Sequence, residues 1–165
     1  MKWLWRFGAI LVACIILQSF VASTFIVENE SMLPAYHDGD VVLVSKLNSI
    51  EPGDVVVVDA QPAFFTQSDI KFVIKRVIAV GGDHVVCCNP ERQLVVNGVP
   101  LREPYVKNEV SDIRFDVTLP EDTLWLMGDN RKNSLDSRDL LGLPGGGAIS
   151  LKHIIGEVVW VLWRT

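Results

Sequence analysis

The sequence lacks the residue patterns that bind metal ions. Its three histidines (His37, His84 and His153) are widely separated, at none of the short spacings that metal ligands use. The adjacent pair Cys87-Cys88 has no second pair with which to form a zinc site. Cys14 lies in an apolar run and cannot reach that pair, and a disulfide between neighbouring cysteines is strained. We therefore predict no metal and no cofactor, and the sequence assigns no role to the cysteine pair.

Basic residues are also scarce. Without Lys2 and Arg6, which lie at the N-terminal end, 13 of the 15 Lys and Arg residues remain against 20 Asp and Glu residues, a net charge of −7. A nucleic-acid partner requires a basic face or stripe. The composition therefore predicts that nucleic acid is not a partner of this protein.

Charged residues are missing altogether from positions 7–27, a run of 21 residues. At ~1.5 Å per residue a helix of that length spans roughly 31 Å, which matches a hydrocarbon core of about 30 Å. Lys2 and Arg6 precede the run and Glu28 and Glu30 follow it, so the positive-inside rule places the N-terminus in the cytoplasm. A cleavable secretory signal is the alternative, but its apolar region is normally about 7–15 residues long.

The predicted organisation follows from this run. It consists of a short cytoplasmic N-terminus at 1–6, a single transmembrane anchor at 7–27 and an extracytoplasmic domain at 28–165. We expect a single-pass protein of the plasma membrane that is in contact with membrane lipid. An organelle inner membrane is the alternative location, although no transit peptide precedes the anchor.

Short β-branched runs separated by turn residues predict strands over most of the remaining chain. The runs are 41–44, 55–58, 72–80, 94–96 with the hairpin signal Asn97-Gly98 and Val99 after it, 124–127 and 154–163. The last run is too short, and too interrupted by Gly156 and Glu157, to be a second membrane span. No helix pattern is seen outside the anchor. The predicted fold class is mainly β, with one compact domain on a single transmembrane helix.

One lysine lies within a predicted strand. The two-residue period of a strand puts Lys75 on the same face as Val73 and Val77, whereas Arg76 points to the other face. Such a lysine is either solvated, which is the commoner case, or buried, where desolvation lowers its pKa from about 10.4. A neutral buried amine is a competent general base for a serine hydroxyl. Ser31, four residues after the apolar run, would by itself be interpreted as a turn or cap residue.

Four segments, taken together and in order, resemble the type I signal peptidases. Ser31-Met32-Leu33-Pro34 resembles the box that carries the nucleophile, and Gly39-Asp40-Val41-Val42 resembles the strand start that follows it. Lys75-Arg76-Val77-Ile78, with Gly82-Asp83 after it, resembles the box that carries a lysine base. The eleven residues 128–138 are similar to the last box of the family almost letter for letter. The resemblance covers essentially the whole chain and implies the signal peptidase fold.

The resemblance implies a Ser–Lys dyad and not a Ser-His-Asp triad. Ser31 would be the nucleophile that forms an acyl-enzyme, and neutral Lys75 would be the general base. Ser134 matches the serine whose hydroxyl hydrogen-bonds to the lysine and orients it. Asp136 and Arg138 match an ion pair that holds the box in shape. The other residues of the box would shape the loop without taking part in catalysis: Gly128, Asp129, Asn130 and Arg131.

The implied activity is that of a membrane-bound serine endopeptidase. It would remove N-terminal signal peptides from secreted preproteins by cutting after small-x-small sites. A nucleophile four residues from the membrane boundary can reach a cleavage site that emerges at the membrane surface. Shallow apolar pockets would accept the small side chains, and Ile26, Leu33 and Val73 are the predicted lining.

Two positions depart from the family pattern. Ala35 stands where a threonine usually follows the proline of the nucleophile box. Asn29 stands where some relatives have a serine or glycine, and the serine there serves as an oxyanion donor. Because an asparagine amide can donate a hydrogen bond of this kind, we expect the backbone N–H of Ser31 and the amide of Asn29 to bind the oxyanion.

Three other interpretations compete with this one. A self-cleaving repressor also uses a Ser–Lys dyad, but it is soluble and carries a DNA-binding module where this chain has an apolar run. An organelle homologue of the same peptidases is a closer alternative. A membrane-tethered binding module without activity would place Ser31 and Lys75 on separate surfaces, so the distance between the Ser31 hydroxyl and the Lys75 amine discriminates between module and enzyme.

Overall fold

The computed structural model describes residues 3, 6, 8, 21–64, 70–107 and 109–165. Within them the strands are β1 at Ala22–Ile26, β2 at Val41–Ser45, β3 at Val55–Asp59, β4 at Phe72–Val80, β5 at His84–Cys87, β6 at Leu94–Val96, β7 at Val99–Pro100, β8 at Phe115–Thr118, β9 at Thr123–Met127, β10 at Ile149–Ser150 and β11 at Ile154–Trp163. A short helix, α1, covers Ala60–Phe64, and 3₁₀ turns cover Ser137–Leu140 and Leu151–His153.

The strands form two antiparallel sheets. The first has the spatial order β1-β2-β11-β3-β4-β9-β10, and the second has the order β7-β6-β5-β8. β4 is an internal strand of the first sheet, since β3 pairs with one of its edges and β9 with the other. The predicted mainly β fold class is confirmed, and a residue on β4 is held by hydrogen-bonded strands on both sides.

Most of the strands follow the β-branched runs of the sequence. The runs 72–80 and 154–163 coincide with β4 and β11, and the predicted hairpin joins β6 to β7. Asn97 and Gly98 both have positive φ angles, of 51° and 79°, as the turn of a tight hairpin requires. Five elements were not predicted from the sequence: β1, β5, β8, β10 and α1. β1 lies inside the run that was assigned to the anchor, and the other four elements show too few residues for a period to be recognised.

β1 changes the predicted boundary of the anchor. Ala22–Ile26 pairs along its whole length with β2, with Ile26 opposite Val41, so these residues belong to the sheet of the domain. The prediction that the membrane span continues to Val27 is therefore wrong at this end, because an uninterrupted apolar run does not distinguish burial in lipid from burial in a sheet. Most of the predicted anchor lies outside the described residues. Among those that are described, no helix has the length and apolar character that crossing a membrane demands.

The two faces of β4 pack into different parts of the core. Val73 and Val77 pack with side chains from β3, α1 and β9. Ile74, on the opposite face, packs with side chains from β2, β3 and β11. The predicted alternation is confirmed from Val73 to Val77, so Lys75 lies on the face of these two residues, and a register shift interrupts the strand between Val77 and Ala79.

The second sheet packs against β4 and β9 of the first in a separate core cluster, which contains Cys87 and has Cys88 packed against it. Cys87 is buried with Phe115 and Trp125, whose rings are 4.7 Å apart between centroids. Cys87 and Cys88 are joined by a disulfide bond. No role was predicted for this pair from the sequence, and the bond between the two residues is a finding of the structure.

Candidate active site

The turn between β1 and β2 carries Ser31. The buried side chain of Met32 anchors this turn in the core, and the backbone N–H of Tyr36 donates to the Met32 carbonyl oxygen at 3.0 Å. The Ser31 hydroxyl is thereby directed toward β4, where it accepts a hydrogen bond of 3.0 Å from the Lys75 Nζ. Two residues 44 positions apart in the sequence are thus within the distance that proton transfer needs.

Lys75 is buried without an ionic partner. Its residue is 3% exposed, and no acidic side chain of the described residues forms an ion pair with it. Desolvation of the ammonium is the main influence and lowers the pKa of Lys75 from 10.5 to about 8, although the nearby charge of Asp136 acts in the opposite direction. At pH 7 about one-tenth of such a lysine is neutral, compared with about 1 in 3,000 at the ordinary pKa.

The loop that follows β9 holds the nucleophile in place. The backbone N–H of Asn130 donates to the Ser31 carbonyl oxygen and its side-chain amide donates to the Glu30 carbonyl oxygen, each at 3.0 Å. Gly128 lies between the two serines of the site. A Cβ atom at this position would lie 2.6 Å from both the Ser31 carbonyl oxygen and the Ser134 Cβ, so the close approach requires glycine.

The predicted ion pair between Asp136 and Arg138 is present. Arg138 donates through Nε and Nη2 to the two carboxylate oxygens of Asp136, both at 2.8 Å, and both side chains are buried. Asp136 also accepts a hydrogen bond of 3.0 Å from the backbone N–H of Gly128. The pair therefore fixes the loop at the glycine that contacts Ser31, which is the structural role that the resemblance implies.

Two further arginine–carboxylate pairs fix the same loop. Asp129 receives two hydrogen bonds from Arg76, of 2.8 and 2.7 Å. Arg131 pairs with Glu103 and also donates from Nε to the Gly128 carbonyl oxygen at 3.0 Å. Asp129 and Arg131 are both buried, so their shaping role, predicted from the resemblance, agrees with their contacts.

Ser134 differs from its predicted role. It lines the same cleft as Ser31 and Lys75, but its buried hydroxyl makes no hydrogen bond to any described residue. The predicted hydrogen bond between Ser134 and the lysine is thus absent, and the hydrogen bond that Lys75 Nζ donates goes to Ser31. The Ser134 side chain packs instead against Gly128.

A cleft of about 550 Å³ opens in front of the dyad. Its apolar wall is formed by Ala60, Phe64, Ile70, Phe72, Val73, Ile74 and Leu135. Of the three predicted lining residues, Val73 is in this wall, whereas Leu33 is not. Ile26 lines a smaller adjoining pocket that shares Val73 with the main cleft. The prediction was wrong for Leu33, because nearness to Ser31 in sequence does not determine which way a turn residue points, whereas Ile26 does line the pocket next to the cleft.

Asn29 lines the cleft beside Ser31. Its backbone has a φ of 73°, a left-handed conformation that asparagine adopts more readily than most residues. The backbone N–H of Asn29 donates to the Asp38 carboxylate at 2.8 Å, while its side-chain amide makes no hydrogen bond within the described part of the chain. The amide is therefore free to serve another acceptor in the cleft.

Three residues support this site in ways that were not predicted from the sequence. Asn130 was assigned only to the shape of its loop, but it also holds the backbone of the nucleophile. Glu103 and Tyr105 were not considered, because they lie in a segment without a recognised motif. Their approach to Arg131 and Arg76 joins residues at least 28 positions apart, and no short-range pattern signals such a contact.

The hydrogen bond between Ser31 and Lys75 decides against the non-catalytic module, which required separate surfaces. Residues 1–163 match the family described as "Signal peptidase, peptidase S26". The chain belongs to this family. Its members are peptidases, so the chain is a hydrolase of the signal peptidase I kind.

Individual relatives agree with the family. The chain is 32% identical to the probable signal peptidase I of Mycobacterium leprae (strain TN), over 97% of this chain and 76% of that protein. It is 33% identical to a signal peptidase I of Bacillus amyloliquefaciens, over 96% of this chain and 85% of that protein. The crystal structure of a signal peptidase I from Enterococcus faecalis V583 has a similar fold, with a TM-score of 0.52 and 24% identity, and it covers 69% of this chain and 100% of that one.

Proposed function

We propose that this chain removes N-terminal signal peptides from secretory preproteins by a Ser–Lys dyad mechanism, and that it cuts after small-x-small sites. One observation carries the proposal. The Lys75 amine is buried, lacks an ionic partner among the described residues and lies 3.0 Å from the Ser31 hydroxyl. Membership in the signal peptidase family supports the substrate class.

Acylation uses both members of the dyad. Neutral Lys75 takes the hydroxyl proton as the Ser31 Oγ forms a bond to the scissile carbonyl carbon. The carbonyl oxygen becomes an oxyanion that the Ser31 backbone N–H and the Asn29 amide stabilise. When the C–N bond breaks, Lys75 gives its proton to the departing amine of the mature protein. The signal peptide is then held as an ester on Ser31.

Deacylation repeats the proton transfer with water as the nucleophile. Lys75, neutral again, takes a proton from the water that attacks the ester carbonyl. Collapse of the second tetrahedral intermediate releases the signal-peptide carboxylate, and Lys75 returns the proton to the Ser31 Oγ. No cofactor enters either half of the reaction, since one amine and one hydroxyl suffice for each step.

The cleft suits an extended peptide that emerges from a membrane. Its apolar wall accepts small side chains, and Ser31 lies five residues after β1. We place the anchor in the run that precedes β1, with the N-terminus in the cytoplasm and the domain on the outer face of the plasma membrane. In this arrangement the cleft lies next to lipid, at the surface where a signal-peptide cleavage site emerges.

Cleavage of a labelled preprotein by the full chain in lipid vesicles tests the proposal. Wild type is expected to release the signal peptide after a small-x-small site, whereas Ser31→Ala and Lys75→Ala lose at least about 10³-fold in kcat. Asn29→Gly keeps the left-handed backbone but removes the amide, and it should lower kcat about 10²–10³-fold with little change in KM.

The exposed residues Ser49 and Lys152 supply matched controls. Ser49→Ala and Lys152→Ala remove the same chemical groups elsewhere and should cleave like wild type. Full activity of a folded Ser31→Ala protein would eliminate the dyad. An unchanged kcat for Asn29→Gly would remove Asn29 from the oxyanion site and leave the rest of the mechanism intact.

A further inference from the structure

The segment between β7 and β8 begins with a strap that lies against the catalytic loops. We define this strap as residues 101–107. Its start is fixed to the second sheet, since the backbone N–H of Leu101 donates to the Leu94 carbonyl oxygen at 2.8 Å. It then turns, and the backbone N–H of Val106 donates to the Glu103 carbonyl oxygen at 3.1 Å. The turn directs Glu103 and Tyr105 toward the first sheet.

Glu103 is the first contact between the strap and the site. Its carboxylate receives hydrogen bonds of 2.5 and 3.2 Å from the two terminal nitrogens of Arg131. The pair is almost fully enclosed, with 1% of the Arg131 side chain and 4% of the Glu103 side chain exposed. Because Arg131 also donates to the Gly128 carbonyl oxygen, the strap fixes the glycine that lies between Ser31 and Ser134.

Tyr105 is the second contact. Its ring lies 4.1 Å from the guanidinium carbon of Arg76, within the range of a cation–π interaction. Its hydroxyl donates to Glu103 at 3.0 Å, which joins the two contacts into one network. Arg76 follows the base Lys75 directly in β4 and pairs with Asp129 in the loop that carries Asn130.

We propose that Glu103 and Tyr105 are positioning residues for the dyad. The strap holds the two arginines from outside, one bonded to the loop that supports Ser31 and the other adjacent to Lys75 in the strand. The distance between the Ser31 Oγ and the Lys75 Nζ is set by how β4 and this loop are held together. Neither residue lines the cleft that contains the dyad, so their effect acts through the arginines and not on substrate.

The expected signature separates positioning from simple stabilisation. A residue that only stabilises the fold changes the fraction of active molecules, while each folded molecule keeps its normal turnover. A residue that positions the dyad changes the turnover of folded molecules, because displacement of reacting groups by about 1 Å can cost 10²-fold in rate. Substrate affinity should change little in that case, since the cleft wall is untouched.

The test compares turnover per titrated active site in the full chain in lipid vesicles. The burst of acyl-enzyme formed with a serine-directed acylating reagent counts the active sites, and preprotein cleavage gives kcat and KM. Glu103→Gln removes the charge and should lower kcat per site about 10–100-fold with KM changed less than about twofold. Tyr105→Phe keeps the ring over Arg76 but loses the bond to Glu103, and it should lower kcat about 3–10-fold. The exposed strap residue Arg102 supplies the control Arg102→Gln, which should behave as wild type.

The inference rests on the proposed function, and the wild-type measurements separate the two. If wild type neither acylates nor cleaves, the proposed function fails and this inference fails with it. If wild type is active and Tyr105→Phe and Glu103→Gln keep the normal kcat per titrated site, the strap is a structural support and the inference alone is overturned. Should Glu103→Gln not fold, Tyr105→Phe decides the question by itself.

Discussion

Lys75 and Arg76 are neighbours on β4, yet their environments shift the pKa values of the two side chains in opposite directions. Arg76 has a carboxylate partner, since two hydrogen bonds of 2.8 and 2.7 Å join it to Asp129. Burial alone would lower the pKa of Arg76, but the hydrogen bonds and charge of Asp129 outweigh it and raise that pKa. Lys75 is buried on the other face beside a hydroxyl, and desolvation lowers its pKa to about 8.

The difference shows how one strand supplies both a structural charge and a base. The two-residue period directs adjacent residues to opposite faces, so the two environments are independent although the residues are covalently linked. The guanidinium of Arg76 stays charged at physiological pH and is paired with a carboxylate, whereas desolvation without an ion-pair partner among the described residues allows Lys75 to lose its proton near pH 8. Burial opposes the charged form at both positions, and the Asp129 carboxylate outweighs this effect for Arg76, whereas the charge of Asp136 does not outweigh it for Lys75.

Breaking the pair on the Arg76 face should give the largest effect. Arg76→Met leaves the Asp129 carboxylate buried and unpaired, so we expect a loss of about 3–5 kcal/mol in the free energy of unfolding. Urea unfolding measures this loss. A double-mutant cycle with Asp129→Asn serves as the control, since it should recover part of the loss by removing the stranded charge. A stability equal to that of wild type for Arg76→Met would show that the pair contributes nothing.

Removing the charge of Lys75 should have the opposite effect, an increase in the free energy of unfolding. The folded pKa of about 8 lies below the unfolded value, so the unfolded chain binds more protons between the two values and the lysine destabilises the fold at lower pH. The free energy by which Lys75 destabilises the fold therefore becomes smaller as the pH rises from about 8 to about 10.5. At pH 7 the free energy of unfolding of Lys75→Met should exceed that of wild type by up to about 3 kcal/mol. This gain in stability should disappear toward pH 10.5.

Unfolding curves at several pH values measure this difference between the two proteins. The position of the exposed residue Lys152 provides the control, because Lys152→Met removes an equal charge without the burial. A folded Lys75→Met protein that is clearly less stable than wild type at pH 7 would mean that the lysine is a paired structural charge like Arg76.

Giving Lys75 a carboxylate should produce the smallest effect and make it resemble its neighbour. Val73 lies on the same strand face and lines the cleft. Val73→Asp should raise the pKa of Lys75 by about one unit and lower the cleavage rate about tenfold below that pKa. Val73→Asn has the same shape without the charge, so the pH profiles of kcat/KM for the two variants isolate the charge. Identical profiles would contradict the expectation.

The strand arrangement around the dyad could be predicted because its signals are local. The bounds of β4, the alternation of its side chains and the hairpin at Asn97 and Gly98 follow from residues within a few positions of one another. The end of the anchor was placed too far along, because β1 lacks charged residues just as the run before it does. The same uncharged residues can lie in a membrane span or in a sheet, and a single sequence does not distinguish the two environments.

The site was predictable in its residues but not in its connections. The spacing of residues does not bring Ser31 to Lys75, and their pairing came from the resemblance. The bond expected at Ser134 is absent, since a motif gives the identity of a group and not the direction of its hydroxyl. The contact between Glu103 and Arg131 depends on how two sheets pack, and nothing in either segment signals it.

The most direct test of the account is the pH dependence of kcat/KM for preprotein cleavage between about pH 6 and 10.5. A base with a pKa of about 8 predicts that the rate rises about tenfold per pH unit at low pH and becomes constant above that value. A break near 10.4, the ordinary pKa of lysine, would contradict the claim that burial without a carboxylate partner makes Lys75 the base. A rate independent of pH across the range would contradict it equally.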